Sequence, residues 1–263
     1  MAWIAPAVVL IGWFLMTSAS VLLLRAGVPL RPMLMIAELC LLAPGLVAFF
    51  ALRLGGLAGL GFVSIAPRVL GLSALAGITL WGASLGVFET QYVFWKPPAG
   101  YLEAFRRLHE TLRPTGPGDA LFSVLAIAVG PAICEELLFR GALLPSLART
   151  LGPTGGVAAA AALFGIIHLD FTSGAIPSLY RVPFAAVIGV ALGALRLASG
   201  SIVTPMVAHA IVNTITFLVA PLTDDPSRGL PEPQPLLGLS ALLVGSLATA
   251  LLLRMVGTRQ PPA

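Results

Sequence analysis

Apolar residues along this chain come in long unbroken runs, not in the short alternations of strands. Split at charges and at Gly/Pro clusters, the runs cover 3–24, 33–53, 69–95, 120–147, 154–169, 176–197, 201–221 and 236–256. A helix needs about 20 apolar residues to cross a bilayer, so the pattern predicts about eight transmembrane helices. The fifth run is short for a full span, which predicts a helix that is tilted, held within the bundle or open to a cavity, and it ends on a histidine. Gly189-x-x-x-Gly193 provides the small-residue spacing that lets membrane helices approach closely. No internal repeat of the kind found in many transporters is visible.

Two connections differ from the rest. Between Lys96 and Asp119, Tyr101, Phe105, Leu108 and Leu112 recur at three- and four-residue steps opposite Glu103, Arg106, Arg107, Glu110 and Arg113. That periodicity predicts an interfacial amphipathic helix near 99–113, either a plain connector or a gate beside an active site, with His109 in solvent. The Pro-rich stretch from Asp224 to Pro235 cannot propagate a helix and is expected as a loop outside the membrane.

Composition narrows the class. Of 263 residues, 58% are hydrophobic and 10% charged, against roughly 25% charged in a soluble domain. A soluble globular protein is excluded, and the expected fold is an all-α, polytopic membrane helical bundle, one integral membrane domain over 1–263. The net charge of +4 comes from cations scattered between apolar runs, so no nucleic-acid surface is expected. They are too evenly divided between alternate connections to orient the chain. The first 24 residues lack Lys and Arg, so the first run is read as a retained span and not as a signal peptide. Cys40 and Cys134 lie in apolar runs and form no disulfide framework. Arg outnumbers Lys fourteen to one, Lys96 being the one lysine, which points to a GC-rich genome and to a bacterial inner membrane.

Chemistry concentrates in three runs. Glu135, Glu136 and Arg140 lie in one otherwise apolar helix, where each unpaired charge costs roughly 2.5–3.5 kcal/mol on insertion scales. They must therefore face protein or water. Glu136 and Arg140, four apart, share a helix face, whereas Glu135 lies about 100° round and is free to point elsewhere. His168 ends the fifth run, and His209 and Asn213 share a face of the seventh. A purely structural Glu-Arg network and packing histidines are the bland reading. Against it, two of the chain's three histidines sit on separate spans beside an intramembrane carboxylate pair. A Glu with two His can activate water directly or bind a catalytic metal. Either route leads to hydrolysis. His-Glu-x-x-His and the phosphate-binding Gly-x-x-x-x-Gly-Lys-Ser/Thr pattern are both absent.

The succession Glu-Glu-x-x-x-Arg (Glu135, Glu136, Arg140), Phe-x-x-x-His (Phe164, His168) and His-x-x-x-Asn (His209, Asn213) resembles the CAAX-protease and bacteriocin-processing (CPBP, Abi) family of intramembrane endopeptidases. All three motifs are complete and in order, within a motif-bearing core of 120–217; the first three spans match only in being hydrophobic. The resemblance implies a helical bundle with a polar intramembrane cavity, and cleavage of peptide bonds near the membrane surface. It implies Glu135 as general base on a water positioned by His168, and His209 and Asn213 as donors to the oxyanion. Glu136 and Arg140 would hold the helix and tune the base, and Asp170 could orient His168 or cap a loop. No cofactor is expected; in the alternative, zinc would be held by Glu135, His168 and His209. The expected partners are the lipid bilayer and a membrane-anchored protein or peptide substrate, C-terminal signals ahead of peptide precursors. An inactive scaffold of the same fold and an ion-coupled transporter are the competing functions.

Overall fold

The structure, a computed structural model, describes residues 2–97, 107–169, 179–223 and 234–257. The described residues fold into helices: α1 Ala5–Arg25, α2 Leu30–Ala51, a short α3 Gly56–Leu60 and α4 Pro67–Phe94, then α5 over 107–112. The stretch Pro117–Ile166 follows as two arms, α6 over 117–151 and α7 over 153–166. α8 Val182–Ser199, α9 Val203–Thr223 and α10 Pro235–Gly257 complete the chain.

Among the described residues, six helical stretches are long and apolar enough to cross a membrane. One of them, Pro117–Ile166, is broken in two, and Val203–Leu218 adds a shorter apolar helix. The eight arms α1, α2, α4 and α6–α10 thus correspond one to one with the eight predicted runs. Exposed large apolar side chains such as Phe14, Val47 and Leu247 cover the outside, as a lipid-facing surface requires.

Sequence explains where the long stretch bends. Gly152 has φ 76° and ψ 165°, a region reserved almost wholly to glycine, and Pro153 follows it without an N–H to continue the preceding helix. The arm beyond, α7, is roughly 21 Å long at 1.5 Å per residue, short of the hydrocarbon core as its run predicts. Within α6 two π-helical turns, Leu125–Val129 and Leu137–Leu143, stand just before Pro131 and Pro145. A proline frees the carbonyl four residues earlier, here Ile127 and Gly141. The wide turns accommodate this inside the bundle. The second begins directly after Glu136 and contains Arg140.

Close helix contacts set the bundle around α6. α8 lies on α7 through the predicted glycine pair: a Cβ at Gly189 would stand 3.1 Å from Ala161 Cα, and one at Gly193 3.1 Å from Val157 Cγ1. α9 rests on α4 where a Cβ at Gly77 would come within 2.6 Å of the Ala208 carbonyl, beside His209. α1 packs on α2, and α2 on α6. In one apolar core Val8, Leu41, Leu138, Phe139, Leu144 and Phe164 come together.

The polar connection corrects one expectation. Residues 107–112 are helical, with Arg107 and Glu110 exposed and Leu112 buried, whereas the first half of the predicted interfacial helix and most of the Pro-rich loop lie outside the described residues. His109 is not solvated: it is 8% exposed and its ring stacks on Phe217 of α9 at 6.0 Å. A partner more than one hundred positions along the chain has no local signature in the sequence.

Candidate active site

Glu135, Glu136, Arg140 and His209 come together inside the bundle. Arg140 and Glu136 are wholly buried, Glu135 is 7% exposed and His209 4%. Arg140 donates from Nη1 to Glu136 Oε1 at 2.9 Å, and from Nη2 to the Gly189 carbonyl at 2.9 Å. The absence of a side chain at Gly189 brings that carbonyl within reach. Its guanidinium carbon also lies 4.6 Å from the centre of the Phe164 ring, a cation–π contact in a site from which water is excluded.

His209 joins α9 to this centre. Its Nδ1–H donates to Glu136 Oε1 at 2.9 Å, because a carboxylate oxygen can only accept. Its other nitrogen, Nε2, faces Glu135 Oε2 at 3.8 Å. The two carboxylates that point different ways from α6 thus meet opposite edges of one imidazole. Glu136 holds Arg140 and His209 on its Oε1, while Glu136 Oε2 and Glu135 Oε2 are both buried without a hydrogen bond. The resemblance implies that Glu136 and Arg140 act on the helix and on Glu135; in the structure Glu136 is bonded to His209 as well.

Phe164 is the apolar hub. Its ring is 4.8 Å from that of His168, 5.8 Å from that of His209 and 5.2 Å from that of Phe139. His168 lies in the turn just beyond α7, and its Nδ1–H donates to the Phe164 carbonyl at 2.8 Å. In the neutral ring that bond leaves Nε2 with a lone pair to accept a hydrogen bond. The carbonyl supplies an orienting partner for His168; Asp170 lies outside the described residues. Asn213 stands one turn beyond His209 on the same face of α9 and is half-buried.

The donors do not fit a metal ion as they stand. His209 has one nitrogen on Glu136 and the other 3.8 Å from Glu135. Among the described residues no group of three His, Cys, Asp or Glu side chains is placed to hold an ion.

Sequence reasoning passes over one residue. Glu38 sits in the middle of α2, and its Oε2 is buried with no hydrogen-bond partner. The signal was available, since any ionisable residue within a span calls for a functional or pairing explanation.

Residues 117–215 match the family model described as type II CAAX prenyl endopeptidase Rce1-like. The match contains the three motifs and leaves α1–α5 and α10 outside it. Comparison with curated proteins and with solved structures found no match.

Proposed function

We propose that this chain, whose residues 117–215 match the Rce1-like type II CAAX prenyl endopeptidase model, is a member of that family and hydrolyses peptide bonds of membrane-anchored substrates with a water activated by Glu135. The observation that carries the reading is the position of His209, bonded to Glu136 on one edge and facing Glu135 on the other. It supports the reading because the carboxylate read as the base and the imidazole read as an oxyanion donor approach to 3.8 Å.

In this mechanism Glu135 takes a proton from water as the oxygen attacks the substrate carbonyl, and His168 Nε2 accepts the other water hydrogen to aim the attack. The oxyanion is met by His209 and by the Asn213 amide. Since His209 spends its Nδ1–H on Glu136, it donates from Nε2 as an imidazolium, and the Glu136 carboxylate stabilises that cation. Arg140 in turn prevents Glu136 from swinging away. Donors fixed in a water-poor site are worth roughly 2.7–4 kcal/mol each to the transition state. Glu135 then returns its proton to the leaving amine, the C–N bond breaks, and the base is restored.

The substrate class we favour is a protein whose C-terminal signal includes a membrane anchor, with peptide precursors second, in a bacterial inner membrane. The test is cleavage of membrane-anchored peptide libraries by purified protein, wild type beside Glu135→Gln, before and after prolonged chelation. Wild type should cleave in both conditions, and Glu135→Gln in neither, with the rate down at least about 10²-fold. Cleavage by neither protein would make the chain a scaffold. Stoichiometric zinc whose removal stops cleavage, and whose return restores it, would overturn the water-activation route in favour of a metalloprotease.

A further inference from the structure

Helices α4, α8 and α10 enclose a groove of about 290 Å³, and none of its lining residues belongs to the three motifs. Its walls are Leu80 and Ala83 of α4, Val187 and Ala191 of α8, and Ser246 and Ala250 of α10. Val187, Ser246 and Ala250 are exposed, so the groove opens to the outside of the bundle. Buried Thr249 also lines it, and its hydroxyl is already bonded to the Thr79 hydroxyl and to the Gly245 carbonyl. The space therefore suits an apolar chain. Two turns of a helix 10–12 Å across fill on the order of 1,000 Å³, well above this volume, whereas a length of acyl chain fits.

The two ends of the groove differ in charge. α4 and α10 run antiparallel: a Cβ at Gly238 would lie 2.6 Å from Glu89 Cβ, and one at Gly245 2.5 Å from the Ala83 nitrogen. The start of α4 and the end of α10 thus share one end of the bundle. α8 ends there too, since a Cβ at Gly257 would stand 3.7 Å from Ala198 Cβ. The Ile202 N–H just beyond α8 also donates at 2.8 Å to the carbonyl of Gly61, which precedes α4.

Val69, Leu195 and Val256 meet in one core at this end, and each has an arginine one or two residues away: Arg68, Arg196 and Arg254. Residues 51–70, 194–205 and 245–263 contain no Asp or Glu. Arg254 follows Ser246 and Ala250 at four-residue steps, on the groove's own face of α10, and both it and Arg68 are exposed. The Arg196 guanidinium lies against Gly61 and adds its charge to the same end. At the opposite end of this helix pair stands an acid, Glu89, whose Oε2 accepts from the Gln234 N–H at 3.0 Å.

We propose that the groove binds an anionic phospholipid of the bilayer, with an acyl chain between α8 and α10 and its phosphate at Arg254 and Arg68. Guanidinium groups bind phosphate oxygens in pairs, and each basic residue at a membrane surface strengthens the hold on an acidic lipid about fivefold. A zwitterionic lipid offers the same chains but brings a cation of its own toward the arginines.

The experiment is native mass spectrometry of the purified full chain titrated with phosphatidylglycerol or with phosphatidylcholine of identical acyl chains. Wild type should bind the first phosphatidylglycerol at least about tenfold more tightly than phosphatidylcholine. Arg68→Gln and Arg254→Gln should each weaken phosphatidylglycerol about fivefold, and together about 25-fold, with phosphatidylcholine little changed. Ala250→Phe, which fills the groove and keeps the arginines, should weaken both lipids at least about fivefold. Equal binding of the two lipids by wild type overturns the proposal and needs no variant to fold. Wild-type affinity in the double arginine variant overturns it as well, since the charge would then be idle. Undiminished binding in Ala250→Phe would place the lipid on the arginines without the groove. Displacement of phosphatidylglycerol by an equal concentration of glycerol 3-phosphate would make this a site for free phosphate; either result overturns the proposal.

Discussion

Arg140 shows how a single side chain can be structural and functional together. It is wholly buried, it answers one carboxylate and one carbonyl, and it lies over an aromatic ring. Replacing a buried ion pair by apolar residues can be neutral, but removing one partner strands the other and typically costs about 3–5 kcal/mol. Arg140→Ala should therefore lose folded protein as well as cleavage, because Glu136 would be left holding only His209. Thermal unfolding in detergent together with the cleavage rate checks this; unchanged stability with normal turnover would show that the pair matters to neither. At this scale the motif residues were legible from sequence because a charge in an apolar run has so few explanations. Their pairing was less so. Spacing alone assigns Arg140 to Glu136 but cannot reveal that His209, on a different helix, shares the same oxygen. Glu38 escaped because it stands alone in its span, with no second polar residue to form a pattern.

At the scale of elements, the breaks matter more than the spans. The eight runs could be read directly from hydropathy, and so could the shortness of the fifth. The π-helical turns could not, since they follow from how proline carbonyls are accommodated in a packed interior. The Gly152 break sets the direction of α7, which carries Phe164 to Arg140 and places His168. A Cβ at Gly152 would meet nothing within 4 Å, so Gly152→Ala adds only backbone strain, of order 1–3 kcal/mol for a residue held in this region. The variant should remain folded with a lowered melting temperature, and cleavage should fall by more than the loss of folded protein as α7 shifts. Equal losses of activity and folded protein would mean that the break is a tolerance of the fold, not a device for aiming Phe164 and His168.

At the scale of the whole molecule, the family match leaves α1 and α2 outside, yet they hold the matched segment at both ends of its first helix. Arg31 looks like an ordinary loop cation in the sequence; in the structure it lies in the first turn of α2 and fastens three elements. Its Nε donates to Ser123, and its Nη2 donates both to Asp119 and to the Leu112 carbonyl at 3.2 Å. Through Leu112 it fixes the end of α5, the helix whose His109 stacks on Phe217, one turn beyond Asn213. Hydrogen bonds to charged groups are worth about 1.5–3 kcal/mol. The Arg31–Asp119 pair is partly exposed, at 18% and 27%, so solvent screening reduces the loss on Arg31→Ala to about 1–2 kcal/mol, or a few degrees in melting temperature. The effect should be local first: Arg107 and Arg113 flank the docked turn and are exposed, so trypsin should cut there faster in Arg31→Ala while the transmembrane arms stay protected. Arg31→Lys should rescue only in part, since an ammonium cannot reproduce the fixed fork that reaches three acceptors. A tryptic pattern and melting temperature identical to wild type would show that α5 is held by its apolar face alone.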